Sequence, residues 1–181
     1  MQVLAPCDPE EVQAATLWCA RENQGPVYLR LAKAGEPVLT ADAVEPWRFG
    51  KLRYIRRGGE VCILSYGPLV ATALKLADRF AAAGKSASVL SVHTLKPLDR
   101  DGLARALASH KLAVVLEEGA PHGGLASRAK EVAWDQGITG CRIETFTLRD
   151  EFLHHYGDYN SLLAEHGLGL AAIANRLGLS A

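Results

Sequence analysis

Val61-Cys62-Ile63-Leu64-Ser65-Tyr66-Gly67 decides the fold class of this sequence. A short uncharged run closed by glycine reads as a strand buried on both faces. Downstream, Leu69 to Ala83 is rich in alanine and leucine and stops at Gly84, as a helix does. Ala87 to Val92 is the next strand, followed by an ordered loop, Thr94-Leu95-Lys96-Pro97-Leu98-Asp99. A helix over Arg100 to Ser109, a buried strand over Leu112 to Glu117 and a helix from Gly123-Gly124 to about Gln136 continue the alternation. A strand over Arg142 to Leu148 and helices over Ser161 to Glu165 and Leu170 to Leu177 close it. Upstream, a strand over Lys51 to Arg56 reaches the opening segment through Gly58-Gly59. Strands alternating with helices predict a three-layer α/β/α domain around a mixed five-stranded sheet. The Lys51 to Arg56 strand is expected to be its antiparallel member. A tight Gly-Gly turn makes a hairpin, whereas parallel neighbours need a crossover.

Further upstream lies a smaller unit. Gln2 to Pro6 reads as a strand. Asp8-Pro9-Glu10-Glu11 opens a helix, with Asp8 as cap and acids at the positive end of the dipole. The helix runs to about Arg21, Gly25-Pro26 breaks it, and Val27 to Leu31 is a second strand. Such a strand–helix–strand unit cannot bury both faces alone, and reads as the end of a domain whose beginning lies elsewhere. Its sheet edge and apolar face are expected to favour self-association or partner binding. Lys33 to Arg48 has scattered Gly and Pro without period and reads as a linker. The division expected is 1–47 and 48–181.

Composition narrows the class. Of 181 residues, 49% are hydrophobic and 22% charged, which fits a globular protein and neither disorder nor a disulfide scaffold. Lys plus Arg equals Asp plus Glu at 20 each, so nothing in the bulk charge favours nucleic acid or an anionic membrane. Cys7, Cys19, Cys62 and Cys141 show no CxxC or zinc-like spacing and read as reduced, buried thiols in a reducing compartment. With no basic leader and no apolar run long enough for a bilayer, the chain is expected to be cytoplasmic.

Five blocks, in order, carry a resemblance. Gly25-Pro26-Val27-Tyr28-Leu29-Arg30-Leu31 looks like the last strand of the pyrimidine-binding domain of transketolase-like enzymes. Val61 to Gly67 is similar to the first parallel strand of their C-terminal domain. His93-Thr94-Leu95-Lys96-Pro97-Leu98-Asp99 resembles that domain's Lys-Pro-Leu-Asp loop. Glu117-Glu118 with Gly123-Gly124-Leu125-Ala126-Ser127 resembles its Glu-Glu…Gly-Gly-Leu-Gly-Ser signature. Glu151-Phe152 through His155-Tyr156-Gly157 and His166-Gly167-Leu168 is a weaker fifth match. The resemblance implies a C-terminal section or subunit of a transketolase, which moves a two-carbon ketol unit between sugar phosphates. Residues 1–47 would then be the end of the pyrimidine-binding domain plus a linker. Deoxyxylulose-phosphate synthase and the beta subunit of 2-oxoacid dehydrogenases share the domain and stay open as alternatives. So does a stand-alone anion-binding regulatory module on the same fold.

The family's metal–diphosphate motif, Gly-Asp-Gly followed by Asn, is absent from this sequence. The resemblance therefore implies thiamine diphosphate and Mg in the complete enzyme, no cofactor and no catalytic residue in this chain, and partners in the N-terminal domains and a second copy. It also implies that Lys33, just after the Val27 to Leu31 strand, contacts the substrate's phosphate; the alternative is a solvated lysine. Arg30 is expected to pair with a carboxylate. Gly123 and Gly124 open a helix after a buried strand, where free N–H groups suit an anion, or where close packing demands glycine. His122 beside them is a candidate anion contact or a hydrogen-bonded loop residue. Glu117 and Glu118 are read as holding loop N–H groups or pairing across a subunit contact, rather than as an acid–base pair. Asp99 is read as a helix cap. His154-His155-Tyr156 is not read as a metal site, since adjacent histidines face apart and no third ligand is evident.

Overall fold

Asp8 starts the first helix as its residue type demands. Its carboxylate accepts the Glu11 N–H at 2.8 Å, and Pro9 occupies the first helical turn. The computed structural model describes residues 1–154 and 156–179. Along them run β1 (Gln2–Leu4), α1 (Pro9–Arg21), β2 (Val27–Leu29), β3 (Arg53–Arg56), β4 (Val61–Ser65), α2 (Leu69–Ala82) and β5 (Ala87–Ser91). There follow β6 (Thr94–Lys96), α3 (Arg100–Ser109), β7 (Leu112–Leu116), α4 (Leu125–Asp135), β8 (Arg142–Phe146), α5 (Tyr159–Glu165) and α6 (Leu170–Arg176).

The main sheet has the order β3-β5-β4-β7-β8, with β3 antiparallel to β5 and the rest parallel. Side chains alternate along each strand, and this alternation builds two cores. Val61, Ile63, Val89 and Val114 pack against Leu69, Leu76 and Phe80 of α2 and Ile173 of α6. Cys62, Leu64, Leu90 and Val115 pack against Leu103 and Leu107 of α3 and Val132 of α4. The result is the expected three-layer α/β/α domain around a mixed five-stranded sheet.

The antiparallel strand is the expected one, but its partner is not. β3 pairs with β5 rather than with β4, so Gly58-Gly59 is not a hairpin turn. The chain instead passes across the start of β5. A Cβ on Gly58 would lie 2.3 Å from the Ala87 carbonyl carbon, which explains the glycine. Pairing with the next strand in sequence is the local rule, and here the buried pairing of β4 with both β5 and β7 overrides it.

The loop expected at Thr94–Asp99 begins as a strand. β6 pairs antiparallel with β1, which also pairs parallel with β2, giving a second, three-stranded sheet of order β2-β1-β6. One edge of the N-terminal unit is thus covered by a strand from the other side of the chain. The β2 edge carries the half-exposed Tyr28. Three residues give too little periodicity to announce such a strand, and its partner lies about ninety positions away.

Between the two sheets the contact combines a small apolar cluster of Cys7, Ile55 and Val70 with a buried polar network. Glu11 of α1 is fully buried and accepts from Cys7 N–H at 3.1 Å, Ser91 Oγ at 2.9 Å and Arg53 Nη1 at 3.2 Å. Arg53 also donates to the Glu45 and Thr40 carbonyls. Burial pushes the Glu11 carboxyl up, while the Cys7 and Ser91 donors and Arg53 pull it back. Asp8 does double duty, since its second oxygen accepts from Leu39 N–H, Thr40 N–H and Thr40 Oγ1, each at 2.8 Å. The segment read as a linker is therefore pinned, though it forms no helix or strand.

Candidate functional site

Glu117 and Glu118 follow β7 and diverge into opposite jobs. Glu117 is fully buried. Its carboxylate accepts from Leu125 N–H at 2.7 Å and Ala126 N–H at 3.0 Å, and lies 3.4 Å from Tyr66 Oη. It neutralises the positive end of α4 from inside the protein. Gly124 is the cap, and a Cβ there would fall 2.2 Å from Glu117 Oε2. Close approach therefore requires glycine at this position. Gly123 takes a positive φ of 78° and donates its N–H to Ser127 Oγ. The donors expected to attract an external anion at Gly123 and Gly124 are thus largely taken by Glu117 and Ser127. His122 is exposed at the lip of this turn.

Glu118 reaches the other way. It pairs with Arg30, which stands just past β2, at 2.9 Å, and Tyr159 Oη lies 3.4 Å from the same carboxylate oxygen. Arg30 also lies over the Tyr66 ring, 5.9 Å from its centroid. Burial and then Glu118 push the Tyr159 phenol well above its ordinary range. Burial and then Glu117 push Tyr66 up to about 12, so both phenols remain proton donors. Arg30, Glu118 and Tyr159 line a cleft of about 380 Å³ with Lys33, Glu36 and Pro68, while Tyr66 faces the neighbouring one. Lys33 is exposed and has no ion-pair partner among the described residues, whereas Arg30 is already held.

Lys33 and the Gly123-Gly124 turn do not share a site. The turn borders a different cleft, of about 670 Å³, that also contains Lys96, Arg100 and Arg128. Sequence reading missed Tyr159, because a tyrosine at a helix start carries no pattern of its own. It also missed the Glu11–Arg53 pair, 42 positions apart, for which only a charged residue on an apolar helix face gave a signal. Asp99 caps α3 through Gly102 N–H at 3.1 Å as expected, and in addition holds Leu52 N–H at 3.1 Å. His93 is buried against Trp47, with ring centroids 4.9 Å apart. Burial and then Arg53 lower its pKa to about 3, which leaves it neutral. Among the described residues no three of His, Cys, Asp or Glu converge as metal ligands. His155 lies outside the described residues. None of the described helices is long and apolar enough to cross a membrane.

A family model described as the transketolase C-terminal domain matches residues 50–173. A 1-deoxy-D-xylulose-5-phosphate synthase of Alcanivorax borkumensis is 32% identical over 98% of this chain, and one of Polaromonas sp. is 36% identical over 96%. In each case the chain spans only 26% of the relative's length. Among solved structures, a split-gene transketolase described as an inactive beta4 tetramer superposes with a TM-score of 0.84 at 29% identity, covering all of this chain and 59% of that one. A transketolase from Campylobacter jejuni superposes at 0.63 with 14% identity over 99% of this chain and 26% of its own, which speaks to the fold alone. The chain belongs to the transketolase C-terminal domain family.

Proposed function

We propose that this chain is the C-terminal section or subunit of a transketolase, the enzyme that moves a two-carbon ketol unit between sugar phosphates, and that it is not catalytic alone. The observation that carries this reading is the buried Glu11–Arg53–Ser91 contact, which ties a strand–helix–strand unit, too small to stand alone, to the domain that the family model matches. In this reading residues 1–47 end the pyrimidine-binding domain, residues 48–181 form the C-terminal domain, and the whole assembles as a dimer with the N-terminal domains. Four free thiols support a reducing, cytoplasmic setting, and a place in pentose phosphate metabolism rests on the transketolase reading alone.

Lys33 is assigned to the substrate's phosphate. Its ammonium is exposed beside a cleft and is not neutralised by an ion pair among the described residues. Glu118 holds the neighbouring Arg30 and so orders the segment that leads to Lys33. The Lys33 cleft does not fit thiamine diphosphate with its metal. No metal-ligand set converges among the described residues, and the cleft carries two acids, Glu36 and Glu118, that oppose a diphosphate. No chemical step through that cofactor is therefore derived for this chain.

A second reading, that the complete enzyme makes deoxyxylulose phosphate, is favoured by the names of the relatives at 32% and 36% identity. Both readings meet one experiment. The chain is titrated calorimetrically with thiamine diphosphate and magnesium, then mixed with an N-terminal section of the same family and assayed by mass spectrometry. The expected result is no magnesium-dependent binding heat alone and product formation in the mixture. Transfer between sugar phosphates supports the first reading, and deoxyxylulose phosphate as product supports the second. Saturable, magnesium-dependent cofactor binding by the chain alone would overturn both.

A further inference from the structure

We propose that the cleft between β6 and the starts of α3 and α4 is a binding site for a small organic phosphate with an apolar body. The cleft has a volume of about 670 Å³, within the range of small-molecule sites. Leu95, Leu98 and Leu125 give it an apolar wall, and Lys96, Arg100 and Arg128 a cationic rim. None of the residues lining it is acidic. That contrasts with the Lys33 cleft, where Glu36 and Glu118 offset the cations.

The end of α4 is not the anion seat, because Glu117 already accepts from Leu125 and Ala126. The phosphate is instead held by side chains. Lys96 is exposed and has no ion pair among the described residues. Arg100 is held by Glu131 at 2.8 Å and Asp135 at 2.6 Å, and Arg128 by Glu131 at 2.8 Å, all outside the lining. These are solvent-exposed pairs that salt screens, and a guanidinium keeps N–H donors to spare. A dianion facing three cations across an apolar wall is a better partner than a neutral ligand, which would use the wall alone, or free phosphate, which would use the rim alone.

The position gives binding a consequence. Val3 of β1 and Lys96 of β6 line one side, and Arg100 of α3 and Arg128 of α4 the other. A ligand that bridges them stabilises the junction of the two sheets by mass action. The inference is independent of the role assigned to Lys33.

The test is calorimetric titration of the full chain with 1-naphthyl phosphate, with inorganic phosphate and 1-naphthol as the two half-ligands. The expected result is saturable one-to-one binding of naphthyl phosphate, at least about tenfold tighter than either half-ligand. Lys96→Glu and, separately, Arg128→Gln should each weaken it with an unchanged circular dichroism spectrum, Lys96→Glu by about tenfold. Lys33→Glu should leave it within about twofold, since distant exposed charges are screened. The proposal is overturned if naphthyl phosphate does not saturate, if naphthol binds equally well, or if Lys33→Glu abolishes binding while Lys96→Glu and Arg128→Gln do not.

Discussion

The five-stranded sheet and its junction with the three-stranded one are buried by opposite means. The first excludes water with apolar side chains on both faces, Ile63 and Leu64 pointing to different helix layers. The second buries ionised and polar groups, Glu11 against Arg53 and Asp8 against Thr40, with His93 behind Trp47. An apolar layer tolerates rearrangement as long as volume is kept, whereas a buried ion pair permits one geometry and penalises any other. The large sheet therefore supplies stability, and the junction fixes how the N-terminal unit sits against it.

The largest expected effect tests this contrast directly. Glu11→Ala leaves the Arg53 guanidinium buried without its partner and should cost about 3–5 kcal/mol. Leu64→Ala, a core truncation, should cost about 2–5 kcal/mol. The two should differ in where the loss falls. Hydrogen exchange should show Glu11→Ala deprotecting β1 and β2 while β4 and β7 stay protected, and Leu64→Ala weakening all of them. Equal deprotection by both would break the distinction. The double variant Glu11→Leu with Arg53→Met should recover much of the loss but not all. Cys7 N–H, Ser91 Oγ and the Thr40 and Glu45 carbonyls would each still lose a partner, at about 1 kcal/mol apiece.

A smaller effect sharpens the comparison through pH. Burial holds His93 at a pKa of about 3, below its ordinary value of 6.5. Between those values the unfolded chain binds the proton and the folded chain does not. The contribution is therefore complete above pH 6.5 and is lost as pH falls toward 3. Urea denaturation should show a His93-dependent loss of about 2 kcal/mol at pH 5 relative to neutral pH. His93→Gln should remove that part of the acid limb, and an unchanged limb would count against a buried neutral imidazole.

Asp99 is a local link within the main domain, between the start of α3 and the residue before β3. Asp99→Ala removes the α3 cap and should cost about 1 kcal/mol, rising toward 2 because Leu52 N–H also loses its acceptor. At the lower end, Asp78→Ala breaks an exposed pair with Arg56 and should change stability by no more than about 0.5 kcal/mol in thermal denaturation. A larger loss there would mean that surface charge rivals the buried network.

The sequence by itself determined the class of the main domain. Its strands and helices are read from short-range patterns, the uncharged run at Val61, the alanine–leucine helix ending at Gly84 and the cap at Asp99, and the N-terminal helix likewise from its cap at Asp8. Those signals act within one turn or one strand, so local residue types suffice. Lys33 could be singled out from the family resemblance, and Gly123-Gly124 from a glycine pair that opens a helix after a buried strand; the structure places them beside two different clefts. The tertiary structure alone decided that β3 pairs with β5, that Lys96 belongs to a strand beside β1, and that Glu117 fills the helix end from inside. It also decided that Glu11 meets Arg53 and that Lys96, Arg100 and Arg128 rim one cleft. Each of these joins residues whose separation in sequence gives no period. What selects them is the need to satisfy buried polar groups and to pair strands across the fold.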